Sequence, residues 1–126
     1  MSGRSWHMEV ALFNKNGKPV AYIAEDGETI YAWDGRAVAY IAGDRVYGFN
    51  GKQIGWYSDG TIFDIYGYRS GFIKRKAPVA TQMEPMKPSR QMPRIRQMPQ
   101  AEVVKPAMVY GYSRLKLEEL LEKGAA

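Results

Sequence analysis

Between residues 10 and 73 the apolar positions alternate with small or polar ones in short runs, and the same run occurs four times. A unit of apolar, aromatic, any, apolar, Asn/Asp, Gly, Lys/Arg, any, Val/Ile, small, aromatic, Ile fits Ile30 to Ile41, Val46 to Tyr57 and Ile62 to Ile73, at a spacing of 16. It also begins at Leu12, 18 residues before Ile30, because Glu25-Asp26-Gly27-Glu28 is two residues longer than the Gly43-Asp44 connection. A period of two is the mark of a strand, and a glycine-bearing interruption between two such runs is the mark of a hairpin. The pattern therefore predicts an all-β fold of four tandem β-hairpin repeats, an eight-stranded antiparallel meander.

Aligning the units gives each column a role. The turn glycines are Gly17, Gly35, Gly51 and Gly67, preceded by Asn16, Asp34, Asn50 and Tyr66. Asn-Gly and Asp-Gly favour type I′ turns, in which both central residues take positive φ. Tyr66-Gly67 departs from this and predicts a looser or bulged fourth turn, in the repeat where Ser70 replaces the Val20, Val38, Ile54 column. Leu12, Ile30, Val46 and Ile62 form an aliphatic column, with Phe13, Tyr31, Tyr47 and Phe63 pointing the opposite way. In the returning strand Tyr22, Tyr40, Trp56 and Phe72 lie beside the small residues Ala21, Ala39, Gly55 and Gly71, a column expected where backbones approach closely about an axis.

The phrases Pro19-Val20-Ala21-Tyr22-Ile23, Val46-Tyr47-Gly48-Phe49-Asn50-Gly51-Lys52 and Gly55-Trp56-Tyr57-Ser58-Asp59-Gly60-Thr61-Ile62 resemble the bacterial four-fold β-flower proteins, over about residues 10–74. That resemblance implies four hairpins about one pseudo-four-fold axis. It brings a fold and no biochemical role.

The alternation stops after the fourth unit. Pro78, Pro85, Pro88, Pro93, Pro99 and Pro106, with Met83, Met86, Met92, Met98 and Met108, fall in one stretch, and Gln91-Met92-Pro93 recurs as Gln97-Met98-Pro99. Repeated proline without apolar periodicity opposes both helix and ladder, so a disordered, extended linker is expected. Beyond it Ser113 can cap a helix whose Leu117, Leu120 and Leu121 share one face, with Gly124 as its end. A helix this short is marginal alone in water, so these leucines predict docking onto this chain, a second copy in a homo-oligomer, or another protein. The expected organisation is a lead-in over 1–9, a hairpin domain over 10–76, a flexible basic linker over 77–112 and an amphipathic helix over 113–124.

Charge changes this picture in one place. The formal net charge is +5, yet residues 10–73 are nearly neutral, while 74–106 hold eight Lys/Arg against Glu84 and Glu102. The linker thus has the charge for phosphate contacts but no aromatic residue on which a base could stack, so a solvated linker is the favoured reading and nonspecific nucleic-acid association through the linker the third function reading. Cysteine is absent, and His7, the one imidazole, precedes the repeats as an exposed terminal residue. Asp26, Asp34, Asp44, Asp59 and Asp64 lie in or beside turns, where aspartate is favoured for backbone reasons. No catalytic residue, cofactor or metal site is expected, and the chain is read as non-enzymatic. The start MSGRSWHMEV lacks the apolar run of a signal peptide, and no stretch suits a bilayer span, so a cytoplasmic, membrane-free protein is expected. The sharpest alternative concerns Trp33, Trp56, Tyr31, Tyr40 and Tyr47, which in hairpin repeats can hold a quaternary ammonium or a glycan when exposed. A small β domain needs most of its large aromatics for its core, and the choline-binding spacing is not reproduced. The leading reading is a structural or protein-interaction module.

Overall fold

The computed structural model describes residues 8–92 and 94–125. Eight antiparallel strands follow one another in chain order: β1 (Val10–Phe13), β2 (Pro19–Ile23), β3 (Thr29–Ala32), β4 (Ala37–Ala42), β5 (Arg45–Gly48), β6 (Gln53–Ser58), β7 (Thr61–Asp64) and β8 (Arg69–Phe72). The meander closes on itself, with Phe13 of β1 paired to Phe72 of β8, so the sheet is a barrel. A 3-10 turn over Lys74–Lys76 leaves it, and one helix, α1 (Leu117–Ala125), lies near the C-terminal end.

Inside the barrel each large aliphatic residue faces a small one across its hairpin: Leu12 opposite Ala21, Ile30 opposite Ala39, Val46 opposite Gly55 and Ile62 opposite Gly71. The four aliphatic side chains have no exposed surface. Every hairpin then carries a bulge at the same place, after Leu12, Ile30, Val46 and Ile62, and the register skips Val20, Val38, Ile54 and Ser70. A bulge leaves one residue out of the ladder and re-aims it. Here it delivers Val20, Val38 and Ile54 to the core, where Leu117, Leu120, Leu121 and Ala125 of α1 meet them. Ser70, in the same column, is buried and donates from Oγ to the carbonyl of Leu115, tying β8 to the approach of the helix.

The helix is therefore docked on its own barrel, packing against β2, β4, β5, β6 and β8. Burial of three leucines, at about 1.5 to 3 kcal/mol each, offsets the ordering of so short a segment. Its start is later than the sequence suggests. Ser113 Oγ accepts from the Leu115 amide rather than capping the helix, and the Glu119 carboxylate accepts from the Lys116 amide one residue before the first turn. Gly124 is not a terminator either. It lies within the helix against Gly48, where a Cβ on either residue would strike the other's backbone.

Two turn expectations are also corrected. At each hairpin tip the glycine amide donates to the residue three before it, as Gly17 to the Asn14 carbonyl at 3.0 Å, and Gly17, Gly35, Gly51 and Gly67 have φ of 79, 97, 85 and 89°. The residues before them do not share the positive φ, so these are three-residue turns closed by a left-handed glycine rather than type I′ turns. The type I′ pair is instead Asp59-Gly60, between the third and fourth hairpins, at φ of 49 and 75°. The fourth hairpin is bulged, but so are the other three, and its tip is not looser. Asp64 Oδ1 accepts from the amides of Tyr66 and Tyr68, as Asn14 Oδ1 does from Asn16 and Lys18, which makes Asn or Asp at the tip itself dispensable.

The largest correction concerns residues 77–92 and 94–112. They are extended, but they are not a free linker: they form a belt laid over the four hairpin tips in order. Gln82 donates its amide to the Gly17 carbonyl at 2.8 Å, Gln91 to Gly35 at 2.9 Å, Gln100 to Gly51 at 2.8 Å and Val109 to Gly67 at 3.0 Å. Proline removes donors from the belt, which blocks a continuous ladder, but the residues between prolines keep theirs. The tip glycines leave the matching acceptors uncovered. A Cβ on Gly17, Gly35, Gly51 or Gly67 would collide with the carbonyl oxygen of Ala80, Ser89, Met98 or Ala107 respectively.

Candidate aromatic and cation sites

The outward faces of neighbouring hairpins bring aromatic residues together in pairs: Tyr22 with Tyr31, Tyr40 with Tyr47, Trp56 with Phe63 and Phe72 with Phe13. The two tyrosine pairs stack with centroids 5.5 and 5.6 Å apart, and Trp33 and Phe49 meet them edge-on. None of these faces is open. Trp56 is 0% exposed, Tyr47 3%, Tyr40 4% and Tyr31 8%, and Trp33 is half-buried.

What covers them is the belt, and it does so with cations. Lys87 Nζ lies 5.2 Å from the Tyr22 ring and 4.9 Å from Trp33, and Arg90 lies 4.6 Å from Tyr31. The Arg96 guanidinium is 4.1 Å from the Tyr40 ring, and Lys105 Nζ is 5.5 Å from Trp56, which also carries Arg45 at 4.9 Å. A cation over an aromatic face is attracted by the ring quadrupole, more strongly where water is excluded.

Each of these four belt cations also meets a carboxylate from the segment leading into a hairpin, whereas Arg94 donates to the Ala125 carbonyl of α1. Lys87 pairs with Glu9 at 3.1 Å, Arg96 with Glu28 at 3.3 Å and Lys105 with Asp44 at 2.7 Å. Arg90 reaches Glu25 at 2.6 Å and also Glu9. The fourth hairpin is served from the other end of the belt, where Lys76 pairs with Asp59 at 2.7 Å. The Arg90, Lys105 and Lys76 contacts hold the carboxyls of Glu25, Asp44 and Asp59 below their ordinary range. Partial burial opposes the same shift at Asp26, but hydrogen bonds from Thr29 and the Glu28 amide outweigh it. At Asp34, burial is likewise outweighed by bonds from Arg36. Asp64 holds its turn, as described.

The sequence reading placed the five aromatics where they are repeated but took no account of their occupant. Four aromatic–cation–acid clusters result, Tyr22–Lys87–Glu9, Tyr31–Arg90–Glu25, Tyr40–Arg96–Glu28 and Trp56–Lys105–Asp44, the first two joined by the Arg90–Glu9 pair. The solvated reading of the linker's charge is thereby corrected, since Lys87, Arg90, Arg96 and Lys105 are held by the barrel's aromatics and acids. His7 and Pro93 lie outside the described residues.

The residues that sequence reasoning missed are Lys87, Arg96 and Lys105, with Gln82, Gln91 and Gln100. A signal for them exists. The belt is itself a repeat of nine residues, with amide donors at 82, 91, 100 and 109 and basic side chains at 87, 96, 105 and 114. The copies of Gln-Met-Pro, six residues apart, obscure the longer period. One nine-residue unit serves one hairpin.

The family model described as 4-fold beta flower protein matches residues 10–121. No curated protein and no solved structure matches the chain. The family match runs past the hairpins through the belt and into α1, in agreement with a single unit of barrel, belt and helix. The chain belongs to the 4-fold beta flower protein family.

Proposed function

We propose that the chain is a non-enzymatic interaction module, a barrel whose belt presents side chains to a protein partner. One observation carries this reading. The belt is held at every hairpin tip, yet Met83, Met86, Met92, Ile95, Met98 and Val104 stand 92, 94, 92, 91, 84 and 90% exposed on it. Apolar side chains kept outward on a fixed scaffold are a feature of interaction surfaces, and methionine suits surfaces that adapt to a partner. The test is cross-linked capture with the full chain, compared with a Met86→Ser, Ile95→Ser, Val104→Ser variant. The expected result is a specific partner lost by the variant at an unchanged melting temperature. Identical capture by both proteins would contradict the reading.

Binding of a quaternary ammonium is the second reading, supported by aromatic faces that do hold cations. Such a ligand would have to displace Lys87, Arg96 or Lys105 from the faces they occupy. The clusters are better explained as the means by which the belt is fastened.

A further inference from the structure

Both repeats of the molecule, hairpin and belt, depart from their pattern at the same place. In the fourth hairpin Tyr66 stands where the others have Asn16, Asp34 and Asn50, Tyr68 where they have Lys18, Arg36 and Lys52, and Arg69 where they have Pro19, Ala37 and Gln53. In the fourth belt unit Tyr110 stands where the others have Met83, Met92 and Ala101, and Tyr112 follows where they have Pro85, Arg94 and Val103. The structure brings these positions together. Val109 donates to the Gly67 carbonyl, Arg69 donates its amide to Gly111 at 2.9 Å, and the Tyr68 ring lies against Gly111.

Tyr112 meets the buried Phe72 edge-on at 6.3 Å, but the fold does not call for Tyr66 or Tyr110. The fourth tip has the same backbone bonds as the first, and Tyr66 and Tyr110 are 70 and 86% exposed. Tyr68 and Tyr112 are each 43% exposed. Arg69 sits among them, 5.0 Å from the Tyr110 ring and 4.5 Å from Tyr112, with its Nε buried and without a hydrogen-bond partner among the described residues.

Charge separates this hairpin from the other three. Lys87, Arg96 and Lys105 each have a carboxylate, whereas Arg114, next in that series and two residues beyond Tyr112, is exposed, and the acid of the fourth hairpin, Asp59, pairs with Lys76. Among the described residues neither Arg69 nor Arg114 has a carboxylate within ion-pair distance. The patch thus combines four exposed tyrosines with two uncompensated arginines.

We infer that this face, Tyr66, Tyr68, Arg69, Tyr110, Tyr112 and Arg114, binds single-stranded nucleic acid. The inference goes beyond the protein-interaction reading and names another partner class at a surface distinct from the belt methionines. Exposed aromatic faces accept unpaired bases whatever their identity, and free cations beside them accept the phosphates. An acidic peptide would use the arginines but has no need of the tyrosines. The basic belt does not supply this site, because Lys87, Arg90, Arg96 and Lys105 are held by carboxylates and aromatic faces of the barrel and Arg94 donates to the Ala125 carbonyl.

The test uses the full chain and a labelled oligothymidylate of about 15 nucleotides, with the duplex of the same length and a polyglutamate peptide as comparisons. The expected result is binding of the single strand in preference to both, weakening as salt rises. A Tyr66→Ser, Tyr110→Ser variant should bind about tenfold or more weakly at an unchanged melting temperature, and Arg114→Gln should lower the salt slope by about one. Absence of binding up to about 100 µM protein, the weak end of nonspecific nucleic-acid affinity, would overturn the inference. So would duplex or polyglutamate binding as tightly as the single strand, or affinity untouched by the tyrosine substitutions. Those failures leave the interaction-module reading to its own test on the belt methionines.

Discussion

Gly51 and Gly43 have similar backbone conformations and different surroundings. Their φ values are 85 and 64°, so alanine at either position is strained by about 1 to 3 kcal/mol. At Gly43 nothing lies within 4 Å of a new Cβ, whereas at Gly51 it would meet the Met98 carbonyl of the belt. Gly51→Ala should therefore lower stability in urea unfolding by more than Gly43→Ala does, the difference being the cost of moving the belt. Equal losses would mean that the belt does not press on the tip. The comparison also shows what a glycine column conceals. Sequence alone marks both residues as turn glycines, but only the structure separates a conformational requirement from a steric one.

The contacts of the belt, and of Lys76 just before it, depend on pH. Glu25, Asp44 and Asp59 have their carboxyl pKa lowered by Arg90, Lys105 and Lys76, from ordinary values of 4.5, 3.8 and 3.8. Since the unfolded chain takes up protons before the folded one, these pairs stabilise fully above those ordinary values. Their contribution is lost as pH falls through them toward the lowered folded values. An Asp44→Asn, Asp59→Asn variant should lose less melting temperature between about pH 5 and pH 3 than the parent. Parallel acid curves would place these pairs outside the stability of the fold. The pairs are solvent-exposed and individually weak, so the aromatic faces and backbone bonds must carry much of the belt's attachment. The helix illustrates a different limit of legibility. Its apolar face was readable from Leu117, Leu120 and Leu121, but its cover was not, because Val38 and Ile54 reach it through bulges that alternation does not encode.

For the whole molecule, the hairpin repeat was legible because strands have a period of two and tips need glycine, and both signals recur in register. Closure was not, since one pairing, Phe13 with Phe72, joins residues 59 positions apart. The belt was misjudged for a physical reason. Proline and exposed methionine are the composition of a disordered segment, yet only one amide in each nine-residue unit need be bonded to hold the tip, and one cation to fill the aromatic face. The candidate sites followed the same course: Trp33, Trp56, Tyr31, Tyr40 and Tyr47 were visible as aromatics, while Lys87, Arg96 and Lys105 were visible only as charge.

The central claim is that barrel, belt and helix form one unit, and amide hydrogen exchange on the full chain tests it most directly. The amides of Gln82, Gln91, Gln100 and Val109 donate to the four tip carbonyls, and those of Gln97 and Val103 to the Phe49 carbonyl and Gln53 Oε1, so these six should exchange more slowly than the unbonded belt amides, with the tip positions recurring every nine residues. Uniformly fast exchange across residues 77–112, with protection confined to the strands, would contradict the account and return the belt to a free linker.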